Sequence, residues 1–243
     1  DDPTGQEGMA HLVEHLMFQQ VLGGQSLFDQ LENTTSSFNG VTSLDATTYL
    51  SRATRDRLDK LLSIEAVRVG FRCTTITDAT FDREREVVIN ELRQREPKSA
   101  VYLAVQRGIY PVGHPYARPT STETALRTIT RDQACAFADA HYTTGNSVLV
   151  VSGDLTKQLV IDALQKFLVK LPARAAAPAV SASAPPARRV ELPGPVDSEL
   201  VVIGWPLPPD PKLRAQVRAV LGTAIAWIDD RVKGRVQVVT LGD

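Results

Sequence analysis

The chain has 243 residues, 43 % apolar and 23 % charged, which is ordinary globular usage and excludes a disordered or collagen-like polypeptide. With 27 Lys and Arg against 28 Asp and Glu the formal charge is −1, so no broad basic field invites nucleic acid. No apolar run reaches the roughly 20 residues of a membrane-spanning helix.

Asp1 stands where a Met would open a complete chain. Either an upstream segment has been removed or this is a fragment, and a missing signal peptide therefore carries no information. Residues 6–22 are predicted as a helix starting near Thr4 or Gly5. Ala10, Leu12, Val13, Leu16, Met17, Val21 and Leu22 cover most of its circumference, as in a core helix, yet His11, Glu14 and His15 interrupt that surface together. A shorter helix is predicted over 26–32. Two runs rich in Thr, Val, Tyr and Ser, 35–43 and 46–53, joined by Leu44 and Asp45, suit an antiparallel hairpin.

Residues 55–71 are amphipathic with helical period. Asp78, Ala79 and Thr80 offer capping chemistry before a helix over 81–95, which Pro97 is expected to stop, and a further helix is predicted over 101–108. A loop with three prolines, 110–120, leads to a helix over 131–142, with Thr130 as N-cap and Gln133 completing a capping box. Residues 146–153 read as a buried strand and 156–168 as a helix.

The composition then shifts: thirteen of the fifteen residues 173–187 are Ala, Pro or Ser, too little bulky apolar surface to pack, so 171–190 is assigned as a linker. Beyond it come a strand over 199–205, a helix over 211–228 and a last strand over 236–241. Cys73 and Cys135 lack the spacing of a zinc knuckle and are read as two buried reduced thiols, which leaves the compartment open.

His11-Leu12-Val13-Glu14-His15 carries the chemistry. Half of the four histidines lie in these five residues. Histidines at i and i+4 stand about 40° apart around a helix, so both imidazoles reach one ion, and Glu14 lies about 60° to the other side, within reach of a water bound there. A catalytic zinc takes three protein ligands and keeps one position open. The helix over 81–95 offers Glu84 and Glu91, two turns apart on one face with Val87 and Val88 between them. On pattern alone these carboxylates are ligands or merely solvated groups, while Glu86 and Glu96 are solvated. His114 reads as a packing or turn residue, and His141 as a cation suited to a helix C-terminus.

Gly8-Met9-Ala10-His11-Leu12-Val13-Glu14-His15-Leu16-Met17-Phe18 resembles the signature of the inverzincin metallopeptidases, the pitrilysin, insulin-degrading enzyme and mitochondrial processing peptidase family. In that family the distal zinc ligand is a Glu on a later helix; Glu91, 76 positions after His15, fits, and Glu84 matches an accessory carboxylate supporting the site from behind. Phe38-Asn39-Gly40-Val41-Thr42 and Asp45 to Tyr49 are similar to the family's substrate-holding edge strand, with Gly40 where Ala is usual. Tyr110-Pro111, His114-Pro115-Tyr116 and the run 148–154 also resemble family landmarks, so the likeness covers about 5–170.

The resemblance implies an α+β fold, a mainly antiparallel sheet with helices packed on one face. It implies one Zn²⁺ held by His11, His15 and Glu91, Glu84 behind them, Glu14 as general base, and Asn39 and Gly40 binding a peptide or unfolded polypeptide. It further implies a zinc-binding domain over 1–170 lacking its first strands, and over 191–243 the start of a second homologous domain. That second half, in the same chain or a partner subunit, would supply the Arg and Tyr that assist substrate binding. A non-catalytic relative serving as partner or scaffold subunit is the alternative.

Overall fold

The first helix, α1 (Met9–Gln19), begins where Asp2 folds back onto it. The Asp2 carboxylate accepts the backbone N–H of Gly8 at 2.6 Å and of Ala10 at 2.8 Å, as a capping side chain does. The computed structural model describes residues 2–71, 73–111, 113–167, 207 and 210–229. The helix is shorter than the predicted 6–22 at both ends, because Gly8 closes it in a left-handed conformation and Gln20 leaves it extended. Val21–Leu22 (β1) and Gln25–Ser26 (β2) instead pair as a small hairpin around Gly23 and Gly24, at φ 61° and 85°. Two successive positive-φ residues make the tight turn that matches strand twist.

Ser26 then caps α2 (Leu27–Thr34) by accepting the Asp29 N–H at 3.0 Å. The predicted hairpin is present as β3 (Ser37–Thr42) and β4 (Thr47–Arg52), antiparallel with Gly40 opposite Tyr49 and Thr42 opposite Thr47. Phe38, Gly40, Thr42, Thr47 and Tyr49 occupy its half-buried face, and Asn39, Val41 and Leu50 its exposed one, the alternation that pleating dictates.

α3 (Leu58–Val69) turns a charge inward. Arg68 is 2 % exposed, bonded to both Glu65 oxygens at 2.6 and 2.7 Å, and its guanidinium lies 4.2 Å from the Tyr49 ring centroid and 5.2 Å from that of Phe18. A planar, weakly hydrated cation is stabilised there by the ring faces and the carboxylate together.

α4 runs Asp78–Ile109 as one helix. The expected stop at Pro97 and a separate helix over 101–108 are corrected. A proline removes one hydrogen bond and crowds one carbonyl, costing about 3 kcal/mol, and helical turns on both sides offset this. α5 (Glu123–Thr128), capped by Thr122, was not anticipated, its six residues being too few to show a period. α6 (Arg131–His141) has the predicted capping box: Thr130 Oγ1 accepts the Gln133 N–H, and Gln133 Oε1 accepts the Thr130 N–H. α7 (Lys157–Phe167) and α8 (Pro211–Asp229) match their predicted helices closely.

The chain divides into two compact units, Asp1–Glu96 with Pro119–Ser181, and Pro97–Arg118 with Ala182–Asp243. In the first, one core gathers Met9, Leu12, Val13, Leu16 and Met17 of α1, Phe81, Val88 and Ile89 of α4, Leu126 of α5, and Ala134, Cys135 and Ala138 of α6. Val88 is fully buried while Val87 stays 39 % exposed, so only one of the paired valines serves that core. A smaller cluster joins Leu27 and Leu31 to Ile64. Cys73 and Cys135 form a disulfide, Cα atoms 5.5 Å apart, which corrects the reading as free thiols: the pairing is a tertiary contact across 62 residues. In the second unit His114 stacks on Tyr110 at 4.7 Å and its Nδ1 accepts the Tyr116 N–H, the packing and turn role expected of it.

The two hairpins are the only strands among the described residues, so the expected mainly antiparallel sheet gives way to a mainly helical fold with two small ladders. The run 146–153 forms no ladder, and Val148 and Val150 are 91 % and 82 % exposed. Apolar, β-branched composition does not make a strand where no neighbour accepts its backbone bonds. The linker 171–190, the strands 199–205 and 236–241, and Glu96's side chain lie outside the described residues.

Candidate metal centre

α1 presents His11, Glu14 and His15 on successive turns, with its apolar residues fixing the helix in the core. α4 approaches through Val88 and Ile89, which share that core, and so carries Glu84 and Glu91 to the same place. His11 Nε2 stands 3.7 Å from Glu91 Oε2, and His15 Nε2 3.6 Å from Glu91 Oε1. One donor atom from each of the three residues lies within 4.8 Å of the other two. Four donors about 2.1 Å from one zinc ion stand about 3.4 Å apart, so the three fit such an ion with small adjustments. Their side chains keep 19 %, 17 % and 31 % exposure, which leaves the centre open to solvent on one side.

Glu84 is buried at 6 % and faces the far nitrogen of His15, Nδ1 to Oε2 at 3.4 Å. Arg83 Nε donates to its other oxygen at 3.0 Å. Burial by itself pushes the Glu84 carboxyl up, but the hydrogen bonds from His15 and Arg83 outweigh it and hold the group below its ordinary range. A carboxylate on one imidazole nitrogen directs the other nitrogen outward as a donor for a metal.

Glu14 is 6 % exposed and is not part of the trio. Its Oε2 accepts the Thr42 hydroxyl at 2.6 Å, and its other oxygen lies against β3 at Gly40. A Cβ on Gly40 would come 2.5 Å from Glu14 Oε1 and 2.8 Å from Phe18 Cε2, so a side chain there would require these groups to shift. Asn39, next in the strand, points to the exposed face, away from Glu14. Among the described residues β3 pairs only with β4, leaving its other edge open. Glu86 lies apart, paired with Arg127 at 3.0 Å. Sequence reasoning missed Thr42 as the partner of Glu14, although its parity with Gly40 along the strand was a usable signal.

Two family models match the sequence: insulinase (peptidase family M16) over residues 1–114, and the peptidase M16 inactive domain over 128–226. An uncharacterized zinc protease of Rickettsia felis is 23 % identical over 173 residues, 68 % of this chain and 41 % of that protein. The beta subunit of the mitochondrial-processing peptidase of Neurospora crassa is 27 % identical over 183 residues, 72 % of this chain and 37 % of its own. A crystal structure of a protease from Helicobacter pylori superposes with a TM-score of 0.65 at 26 % identity, covering 74 % of this chain and 45 % of that one. The chain thus spans about two fifths of the length of the curated relatives it matches first. With both M16 models matched in order along the sequence, the chain belongs to the insulinase, or M16, peptidase family.

Proposed function

We propose that this chain is the zinc-binding part of a metalloendopeptidase, with His11, His15 and Glu91 as ligands, Glu84 orienting His15, and Glu14 as general base. The observation that carries this reading is the meeting of the Glu91 carboxylate with both imidazoles across two separate helices. When bound, zinc supplies a Lewis acid and lowers the pKa of a water toward about 7.

The residues of the chain do the rest. Glu14 takes a proton from the attacking water as its oxygen adds to the scissile carbonyl carbon, then gives that proton to the amine as the C–N bond breaks. The open edge of β3, with Asn39 and Gly40, aligns an extended peptide by main-chain hydrogen bonds. Residues 1–170 form the zinc domain in this reading, 171–190 a linker, and 191–243 the start of a homologous half that completes the substrate site. No helix among the described residues is long and apolar enough to cross a membrane.

The test is zinc content together with cleavage of a quenched peptide by the full-length protein. Glu14→Gln is expected to keep one zinc per chain and lose about 10²- to 10⁴-fold in kcat, whereas His15→Ala loses the metal. A Glu14→Gln variant that cleaves at the parental rate would remove Glu14 from the chemistry. Parental protein that binds zinc yet cleaves nothing would favour a partner subunit without activity.

A further inference from the structure

Glu14 ends a short string of hydroxyls that crosses the hairpin. Thr42 Oγ1 donates to Glu14 Oε2 at 2.6 Å and lies 3.1 Å from Thr47 Oγ1 across the hairpin. Two hydroxyl groups, one from β3 and one from β4, therefore connect in series to one carboxylate.

Counting protons fixes the direction of both bonds. A hydroxyl has one hydrogen to give. Thr42 spends its hydrogen on the carboxylate, so Thr47 must donate to Thr42. Thr42 thus accepts one bond and donates the next, and aligned bonds of this kind strengthen one another.

We propose that Thr42 is a positioning residue for the Glu14 carboxylate, held in its donating orientation by Thr47. Gly40 leaves room beside it, since a Cβ there would come 2.5 Å from Glu14 Oε1. Glu14 Oε2 is thereby held by the Thr42 hydroxyl, with Oε1 lying beside Gly40. The motif residues Thr42 and Thr47, which a substrate-holding strand does not need on its inner face, acquire a purpose. This inference rests on the reading of Glu14 as general base.

The experiment compares Thr42→Val, Thr42→Ser and Thr47→Val in the full-length, zinc-loaded protein, with kcat, KM and zinc content on a quenched peptide. Thr42→Val keeps the shape and removes the donor, so kcat is expected to fall about 10- to 100-fold, with KM and zinc at parental values. Thr42→Ser restores the hydroxyl and brings kcat back to within about threefold of the parent. Thr47→Val breaks the string one bond away and lowers kcat by a smaller factor, about threefold.

A Thr42→Val protein with parental kcat overturns the proposal, as does failure of Thr42→Ser to recover what Thr42→Val loses. Should Thr42→Val not fold, Thr47→Val decides, and parental kcat in that variant overturns the string. A crystal structure of Thr42→Val, or of Thr47→Val, is read whatever the activity. Displacement of the Glu14 carboxylate from Gly40 supports positioning, and an unmoved carboxylate contradicts it. That readout stands even if Glu14→Gln proves fully active and the general-base reading fails.

Discussion

Glu84 and Glu91 are the same residue type one heptad apart, and their surroundings give them different work. Glu91 is 31 % exposed and faces the ring nitrogens that α1 directs outward, while Glu84 is nearly buried and takes the inner nitrogen of His15. A ligand whose orientation depends on a buried carboxylate loses affinity when that carboxylate goes. Glu84→Gln keeps the volume and removes the charge, so zinc affinity is expected to fall about 10- to 100-fold, measured by competition with a chelator. Unchanged affinity would make Glu84 a structural partner of Arg83 only. The pairing of His11 and His15 was legible from their four-residue spacing, because helical geometry decides it locally. Which glutamate completes the trio was not legible from the pattern, because 84 and 91 lie on the same stripe and only the depth of each in the core separates them. The hydroxyl string was hidden for a related reason: it links residues 14, 42 and 47, and no local periodicity reports a contact from a helix to a hairpin 28 residues on.

At the scale of elements, local chemistry read well and pairing read badly. Thr130 and Gln133 announced the start of α6, and the Thr- and Val-rich runs of β3 and β4 gave the hairpin. These features depend on residues within a few positions of one another. The run 146–153 has strand composition and forms no strand, because a ladder is a property of two segments. Pro97 was taken as a helix end and is a helix interior, because the cost of one proline is a few kcal/mol and long flanking turns exceed it. The α6 box offers a direct check. Thr130→Ala removes the acceptor for the Gln133 N–H and is expected to destabilise the first unit by about 1 kcal/mol, read as a lowered urea midpoint with an unchanged slope. A midpoint equal to the parent's would show that the Arg131 contacts to Asp78 and the Ile76 carbonyl anchor the helix start without the cap.

Across the molecule, one core and one covalent link hold the candidate centre in place. Met9, Leu16 and Leu126 pack with Val88 and Ile89, so α1, α4 and α5 share apolar surface directly around the histidines. Cys73, before α4, is tied to Cys135 on α6, whose neighbours Ala134 and Ala138 sit in that same core. Closing a loop of this length restricts the unfolded chain, so reduction is expected to cost about 2–4 kcal/mol of stability. Denaturation with and without reductant measures this, and the unreduced protein is expected to show no titratable thiol when unfolded. Two thiols found there would show the pair to be open. The candidate metal ligands and Glu14 lie within one compact unit, so the metal is expected to bind to that unit by itself.

The most direct measurement is anomalous diffraction at the zinc absorption edge from crystals of the metal-loaded protein. One peak is expected about 2.0–2.2 Å from His11 Nε2, His15 Nε2 and a carboxylate oxygen of Glu91, with Glu84 on His15 Nδ1 and Glu14 outside the coordination sphere. A peak bound by the two histidines and Glu14, or one lying away from α1, would contradict it.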